Sequence, residues 1–353
     1  MDVFTHVDFD AHEQVVHAHD APTGLRAIIA VHSTALGPSL GGCRIWNYPS
    51  EDEALTDVLR LSKGMTYKAA LAGLALGGGK SVILADSRSD KTPQMMRAMG
   101  RAVERLAGRY IIAEDVGATV ADMDEIAKET AHVSGVSSGA GDPSPWTARG
   151  VFLSMQAAAR HRWGTDLKGR RVAVTGLGNV GTNLCLMLHE AGARLVVSDI
   201  RAEAVVHVIG HTGAETVAPD RAHRAEADIF APCALGAALN AETIPEIQAE
   251  IVCGAANNQL ATPEDGARLA KRGLLYAPDY LVNAGGLISV ARAPLGLSDA
   301  AAEAKLTAIP ETLTTVFAMA ATEGVEPGAA ADRLAFSRLE GTPSDGQQSS
   351  QAA

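Results

Sequence analysis

Residues 170–199 constrain this 353-residue chain more than any other stretch. A β-rich run, RRVAVT, leads into Gly176-Leu-Gly178-Asn179-Val180-Gly181. Residues 179–190 then follow a helical pattern, and the run LVVS ends at Asp199. A glycine loop between strand and helix, with an acid closing the next strand, is the setting in which GxGxxG carries meaning. The glycines permit a tight turn and close backbone approach to a pyrophosphate. The helix N-terminus adds free N–H groups and a partial positive charge. Asp199 is placed to bind the adenosine ribose hydroxyls, which favours NAD over NADP. Arg201 stands against that preference, because it could tolerate a 2′-phosphate.

Upstream, residues 64–80 (GMTYKAALAGLALGGGK) hold Lys68 and Lys80 among apolar and small residues, with no acid between them. Lysine ordinarily sits on solvated faces. Two cations in a dry, glycine-rich turn suggest an anion site. Burial and a neighbouring cation both favour the neutral amine over the usual pKa of about 10.4. Lys80 could then act as a base near neutral pH. Lys68, near a helix end, could bind a carboxylate. In the purely structural alternative both lysines cap helix or strand ends. Asp115 closes the run YIIAED. Acids at strand ends of α/β sheets often face the ligand crevice; capping the next helix is the competing role.

The remaining composition limits partners. A formal net charge of -11 supplies no basic excess for a nucleic-acid backbone or an anionic membrane surface. No h-region and no apolar run of about 18 residues is present. Cys43, Cys185, Cys233 and Cys253 lack metal-site spacing and read as small buried hydrophobes in a reducing cytoplasm. His6, His12, His17 and His19 fit no helix face. They read as surface residues, and no metal is expected.

The length implies two domains. Residues 25–32, 81–85 and 110–113 read as strands. Residues 51–68, 92–107 and 119 to about 130 read as helices, the last opened by Thr119 with Asp122. Residues 135–145 form a Gly/Ser/Pro-rich loop. A helix over 147–163 precedes the nucleotide unit, short apolar segments occupy 229–231 and 251–253, and helical patterns cover about 298–322 and 327–339. The expectation is an α/β fold of two domains with a cleft between them. Residues 1–140 form a substrate and oligomerisation domain, and 141–324 a Rossmann-type dinucleotide-binding domain. Residues 341–353 form a disordered tail.

Seven blocks run in order from about residue 36 to 286: GPSLGGCRIW, KGMTYKAALAGLALGGGK, RYIIAEDVG, GLGNVG, APCALGAALN, GAANNQL and YAPDYLVNAGG. Together they resemble the glutamate/leucine/phenylalanine/valine dehydrogenase family of amino-acid dehydrogenases. The resemblance implies reversible, NAD-dependent oxidative deamination of an L-amino acid to its 2-oxo acid and ammonia. It implies that Lys68 binds the substrate carboxylate with backbone help from Gly41 and Gly42, that Lys80 activates water, and that Asp115 exchanges protons with the substrate nitrogen. Asn257 would hold the nicotinamide side and touch substrate. Cys233, Ala234, Ala255 and Ala256 would line the cofactor cleft, and Thr147 joins them. A C-terminal helix, about 325–340, would return to the first domain, through which a homo-oligomer is built.

Glutamate-specific members carry a lysine just before the glycine pair, where this chain has Leu40. A γ-carboxylate buried there without a partner would be costly. The substrate side chain is therefore expected to be apolar, with Leu40, Ala113, Leu287 and Val290 as walls by analogy. Leucine, valine and isoleucine are favoured. Phenylalanine and tryptophan stay open, because one methylene is worth only about 1–3 kcal/mol. A non-catalytic nucleotide-sensing module and an enzyme of imines are the competing classes.

Overall fold

A computed structural model describes residues 3–139, 141–234 and 236–341; the tail 342–353 lies outside the described residues. The chain forms two compact units. The first comprises Met1–Gly141, Val290–Ser298 and Ala335–Ala353, the second Asp142–Ser289 and Asp299–Leu334.

Unit 1 contains β1 (Gln14–Asp20), β2 (Leu25–Ser33), β3 (Ser39–Trp46), α1 (Glu51–Leu71), β4 (Gly77–Leu84), α2 (Pro93–Glu104), β5 (Tyr110–Glu114) and α3 (Val120–Ile126). Among the described residues its sheet is five-stranded, in the order β1-β2-β4-β3-β5. β4, β3 and β5 are parallel to one another, and β1 and β2 form an antiparallel flank. Both faces are covered. Ile28, Ala30 and Val82 pack on Ala54, Leu55, Val58 and Leu59 of α1. Ile29, Val31, Cys43, Ile45, Ile83 and Ile112 pack on the methionines of α2 and on Met123 and Ile126 of α3. Two-sided burial explains why β2 reads as a continuous apolar run. Each fully buried Leu or Val on α1 contributes about 1.5–3 kcal/mol. Ser50 starts α1 by accepting from Glu53 N at 3.2 Å, and acids fill the first turn.

Two expectations need correction. The lysine-bearing stretch is not a turn. α1 runs through Gly64 to Leu71, and β4 begins at Gly77, ahead of the expected start at Ser81. The glycines are strand residues because nothing larger fits. A Cβ on Gly77 would lie 1.9 Å from Ser33 O, on Gly78 2.0 Å from Thr66 N, and on Gly79 2.7 Å from the Tyr110 ring. The N-terminal histidines are not all at the surface either. His12 is 7% exposed and packs edge-on against His32. Its Nε2–H donates to Leu59 O at 3.1 Å, and its Nδ1 accepts from Asp10 N.

Unit 2 contains α4 (Ser144–Trp163), β6 (Arg171–Thr175), α5 (Asn179–Glu190), β7 (Arg194–Ser198), α6 (Ala202–Thr212), β8 (Glu215–Thr216), β9 (Ile229–Pro232), β10 (Ile251–Val252), α7 (Glu264–Lys271), β11 (Leu275–Tyr276), α8 (Asp279–Val282) and α10 (Asp299–Glu323). α9 (Gly285–Ala291) and α11 (Pro327–Glu340) each begin in unit 2 and end in unit 1. Among the described residues the sheet order is β11-β10-β9-β6-β7-β8, with every pair parallel. The order reverses at β6, so the loop after β6 opens at the switch point where α/β sheets bind ligands. No helix among the described residues is long and apolar enough to cross a membrane.

Candidate active site

Strand register in unit 1 puts the candidate residues on one sheet face. Side chains alternate along a strand, so Leu40, Gly42 and Arg44 of β3 share a face. Their register partners are Ile111 and Ala113 of β5 and Gly78 and Val82 of β4. Lys80 lies between the last two, and Asp115 directly follows β5. On this face Lys80 Nζ donates to Asp115 Oδ2. Lys80 is 6% exposed, so its charge sits in a nearly dry setting against the Asp115 carboxylate.

Burial works to raise the Asp115 carboxyl. Lys80 and then Arg44 outweigh it and bring the group down to about 2. Arg44 Nε lies 3.5 Å from the same Oδ2. Arg44 Nη1 donates to Asp57 on α1 at 2.8 and 3.1 Å, and the Tyr48 hydroxyl donates to Asp57 at 2.6 Å. The structural alternative for Asp115 does not hold, because Thr119 caps α3 in a reciprocal capping box with Asp122. Asp115 is left for the lysine.

Glycine at 41 and 42 has a packing cause. A Cβ on Gly42 would stand 2.7 Å from Asp115 Cβ, and one on Gly41 would stand 1.7 Å from Gly79 O. Gly42 is thus what lets Asp115 lie against β3. The carbonyl of Gly41 accepts from the buried Tyr110 hydroxyl at 2.8 Å. Lys68 occupies the last turn of α1, half-buried. Thr66, two residues before it, abuts Gly78, two residues before Lys80. Leu40 and Ala113 are buried beside these groups. Val290 belongs to unit 1, where its carbonyl accepts from Ser134 Oγ at 2.8 Å.

The other candidates gather in unit 2 around the β6–α5 loop. Gly176 has φ +91, and a Cβ there would meet Ala234 N at 2.5 Å. A Cβ on Gly181 would meet Gly176 O at 1.9 Å and Cys233 Cβ at 3.5 Å. These two glycines serve the turn and the seating of α5 against its strand. A Cβ on Gly178 would meet nothing within 4 Å among the described residues. No side chain caps α5 at Gly178, so the first N–H groups, from Asn179 and Val180 onward, are not taken by a cap. That arrangement fits a dinucleotide pyrophosphate. Asp199 stands at the end of β7. Its Oδ2 accepts from Leu177 N at 2.6 Å and its Oδ1 from Arg201 N at 2.8 Å. Burial opposes its ionisation, and these backbone donors overcome it and lower the pKa. The Arg201 side chain reaches back to Leu177 O at 3.0 Å and to Asp199 Oδ1 at 3.4 Å.

Thr147 sits in the first turn of α4, its Oγ1 only 2.5 Å from where a Gly286 Cβ would stand. Ala255 N donates to Cys233 Sγ at 3.5 Å. Asn257 Oδ1 accepts from Asn283 Nδ2 at 3.0 Å, which also donates to Ala255 O. Ala256 O accepts from Gln259 at 3.0 Å, and Asn258 N donates to Asp279 Oδ2 at 2.8 Å. Leu287 is buried in α9. Asn257 and Leu287 belong to unit 2, and the lysine set belongs to unit 1.

Sequence reasoning missed the supporting groups. Arg44 of β3 lies beside Asp115, and Asp57 on α1 holds Arg44 while accepting from Tyr48 in the loop after β3. Tyr110 holds Gly41, and Asn283 with Asp279 holds the 255–258 segment. Arg44, Tyr110, Asp279 and Asn283 lie inside quoted sequence blocks, but no spacing rule marks them. Among the described residues no group of three or more His, Cys, Asp or Glu is disposed to hold a metal ion.

Comparison with known proteins matches this architecture. Residues 12–132 match the Glu/Leu/Phe/Val dehydrogenase dimerisation domain, and residues 139–207 and 197–343 match the glutamate/leucine/phenylalanine/valine dehydrogenase domain. The chain is 49% identical over 344 residues to a leucine dehydrogenase of Geobacillus stearothermophilus, covering 96% of this chain and 94% of that one. It is 49% identical over 341 residues to a valine dehydrogenase of Streptomyces virginiae, covering 95% of each. The crystal structure of L-tryptophan dehydrogenase from Nostoc punctiforme aligns with a TM-score of 0.83 at 46% identity, over 94% of this chain and 97% of that one. A Rossmann-type sheet with an open glycine loop, preceded by a unit that pairs a buried lysine with a strand-end aspartate, is therefore no isolated coincidence: the chain belongs to the glutamate/leucine/phenylalanine/valine dehydrogenase family.

Proposed function

We propose that the protein catalyses the reversible, NAD-dependent oxidative deamination of an apolar L-amino acid, with leucine, valine and isoleucine preferred. The observation that carries this reading is the pairing of the buried Lys80 with Asp115 on the sheet face that also bears Leu40 and Ala113.

Lys68 binds the substrate carboxylate. Leu40, Ala113, Leu287 and Val290 receive the side chain, a setting in which a second carboxylate would be buried without a partner. A bound nicotinamide would supply the acceptor for the Cα hydride, whose loss turns the substrate amine into an iminium. Lys80, as the free amine, takes a proton from a water that adds to the iminium carbon. Asp115, a carboxylate at the outset, takes a proton from the substrate ammonium before the hydride leaves and returns it to the nitrogen once water has added. The C–N bond then breaks with its electron pair on nitrogen, the hydroxyl proton passes to the Asp115 carboxylate, and ammonia and the 2-oxo acid leave. Water exclusion strengthens each of these charge interactions. The loop at Gly176, Gly178 and Gly181, with Asn179 and Val180, holds the pyrophosphate. Thr147, Cys233, Ala234, Ala255, Ala256 and Asn257 line the remaining cofactor surface. Asp199 takes the ribose hydroxyls, and its charge disfavours a 2′-phosphate, which is why NAD is preferred over NADP.

A panel of leucine, valine, isoleucine, phenylalanine, tryptophan and glutamate with NAD, followed by NADH absorbance at alkaline pH, tests the reading. Leucine, valine or isoleucine should give the highest kcat/KM and glutamate the lowest. The likeness to a tryptophan dehydrogenase makes an aromatic preference the specific alternative, which the same panel resolves. A folded protein that turns over none of the apolar substrates refutes the assignment. The first unit's match to a dimerisation domain supports a homo-oligomer in solution, and four free cysteines suit the cytoplasm.

A further inference from the structure

A difficulty in the Lys80–Asp115 pair points to a residue beyond those assigned above. If Lys80 is to act as a free amine, it must release the proton that holds Asp115. The carboxylate, 20% exposed, would then be a partly buried anion without its main counter-charge, a costly state. The structure contains a second cation at the same oxygen. Arg44 Nε lies 3.5 Å from Asp115 Oδ2 and is itself buried, with no hydrogen-bond partner within normal geometry. Its other end is fixed, because Arg44 Nη1 donates to both oxygens of Asp57 and the Tyr48 hydroxyl donates to Asp57 Oδ2. Arg44 is thus tied on the α1 side and presents one unused N–H toward Asp115.

We propose that Arg44 is a positioning residue for the reaction: tethered by Asp57 and Tyr48, it keeps the Asp115 carboxylate in place and compensated while Lys80 is deprotonated. This rests on the roles proposed above for Lys80 and Asp115. Arginine suits the task because it stays charged throughout and its planar fork can serve two carboxylates at once. Asp57 sets how much of that charge Asp115 feels. An Arg44 without Asp57 would draw Asp115 more strongly, and loss of Arg44 would leave Asp115 to Lys80.

The other titratable groups around the pair are accounted for. Cys43 on β3 is pushed up to about 12 by burial, and Tyr110 on β5 is held well above its usual value by burial. Neither changes charge near neutral pH. Burial and then Asp57 push the Tyr48 hydroxyl upward, so it remains a donor. Asp122, beyond the following loop, is paired with Lys91 at 2.7 Å. Lys68, on α1, carries the substrate carboxylate in the proposed complex.

The test compares Arg44→Met, Arg44→Lys and Asp57→Asn with the parent enzyme, each checked by thermal melting. In Arg44→Met, kcat should fall about ten-fold or more while KM for the amino acid changes less. The limb on which kcat/KM rises with pH should move up by about one pH unit or more, the scale of a lost neighbouring charge. Asp57→Asn should move the same limb down, and Arg44→Lys should recover much of the parent profile. A second readout needs no turnover: the pH dependence of labelling at Lys80 by a small amine-selective reagent, located by mass spectrometry. It should shift upward in Arg44→Met and downward in Asp57→Asn. Displacements of opposite sign in the two variants support the proposal, and Asp57→Asn alone decides it if Arg44→Met fails to fold. Unmoved profiles, or shifts of the same sign, overturn it. An enzyme inactive on every amino acid but with opposite labelling shifts would refute the assigned reaction and leave the Arg44 relay standing.

Discussion

At the residue scale, buried charge is arranged in two different ways in unit 1, and pH separates them. Asp115 is held ionised by neighbouring cations, so its contribution to stability is present above its unfolded value of about 3.9 and is lost as the pH falls toward about 2. His32 is the reverse case. Burial, and next the neighbouring His12, bring it down to about 4, with Asp10 pulling weakly the other way and Lys63 adding to the fall. Its Nδ1 lies 2.8 Å from Thr66 Oγ1, inside the packing of α1 on β2. The unfolded chain binds a proton at His32 from about 6.5 downward, and the folded chain resists it until about 4. Stability from this site is therefore complete above pH 6.5 and drains away as the pH drops through that window, by about 3 kcal/mol at most. His12, also lowered chiefly by burial, acts in the same direction. His32→Asn keeps an amide nitrogen near Nδ1 without the titration. Urea unfolding midpoints measured from pH 7 to 4 should fall more steeply in the parent than in the variant, and parallel curves would remove His32 from the acid response. Residue types alone do not show this, because histidines scattered along a sequence carry no sign of which one meets a helix.

At the element scale, what was legible followed pattern length. α5 and its flanking strands fall where the glycine loop and its periodicity place them, and α10 and α11 fall within a residue or two of their helical patterns. β1 and β3 were not read as strands. β1 is a partly exposed edge of mixed polarity, and β3 carries a glycine pair that weakens any strand signal. The same physics hid the start of β4, where glycine records a close approach of backbone to backbone. Gly78 is the sharpest instance, since its missing Cβ is what lets α1 lie against β4 at Thr66. Gly78→Ala should push the last turns of α1 outward, costing about 1–3 kcal/mol as overpacking does. Lys68 rides on those turns, so KM for the amino acid should rise several-fold while NAD binding, followed by nucleotide fluorescence, stays as in the parent. An unchanged melting point together with an unchanged KM would show that the helix does not depend on that contact.

At the scale of the whole molecule, unit 1 is assembled from three separate stretches of chain. Hydrophobic patterning reveals each helix, but it does not say to which unit a late segment returns. The last stretch supplies Arg338, whose Nη1 donates to Ala70 O at 2.9 Å and Leu71 O at 2.8 Å. These are the last two carbonyls of α1, at the end where a helix runs short of internal donors; Ala70 O also accepts from Gly73 N at 3.1 Å. A guanidinium placed there also opposes the negative end of the helix dipole. The consequence is that the C-terminal end of the chain stabilises the helix that carries Lys68. Arg338→Met keeps the aliphatic stem and removes the donors. It should cost about 2 kcal/mol, the worth of a charged hydrogen-bonding group, and lower the melting midpoint by several degrees. Because the loss falls at the end of α1, KM for the amino acid should rise as well, with NAD affinity unchanged. A variant that melts with the parent and binds substrate equally well would mean that α1 ends independently of the C-terminal segment.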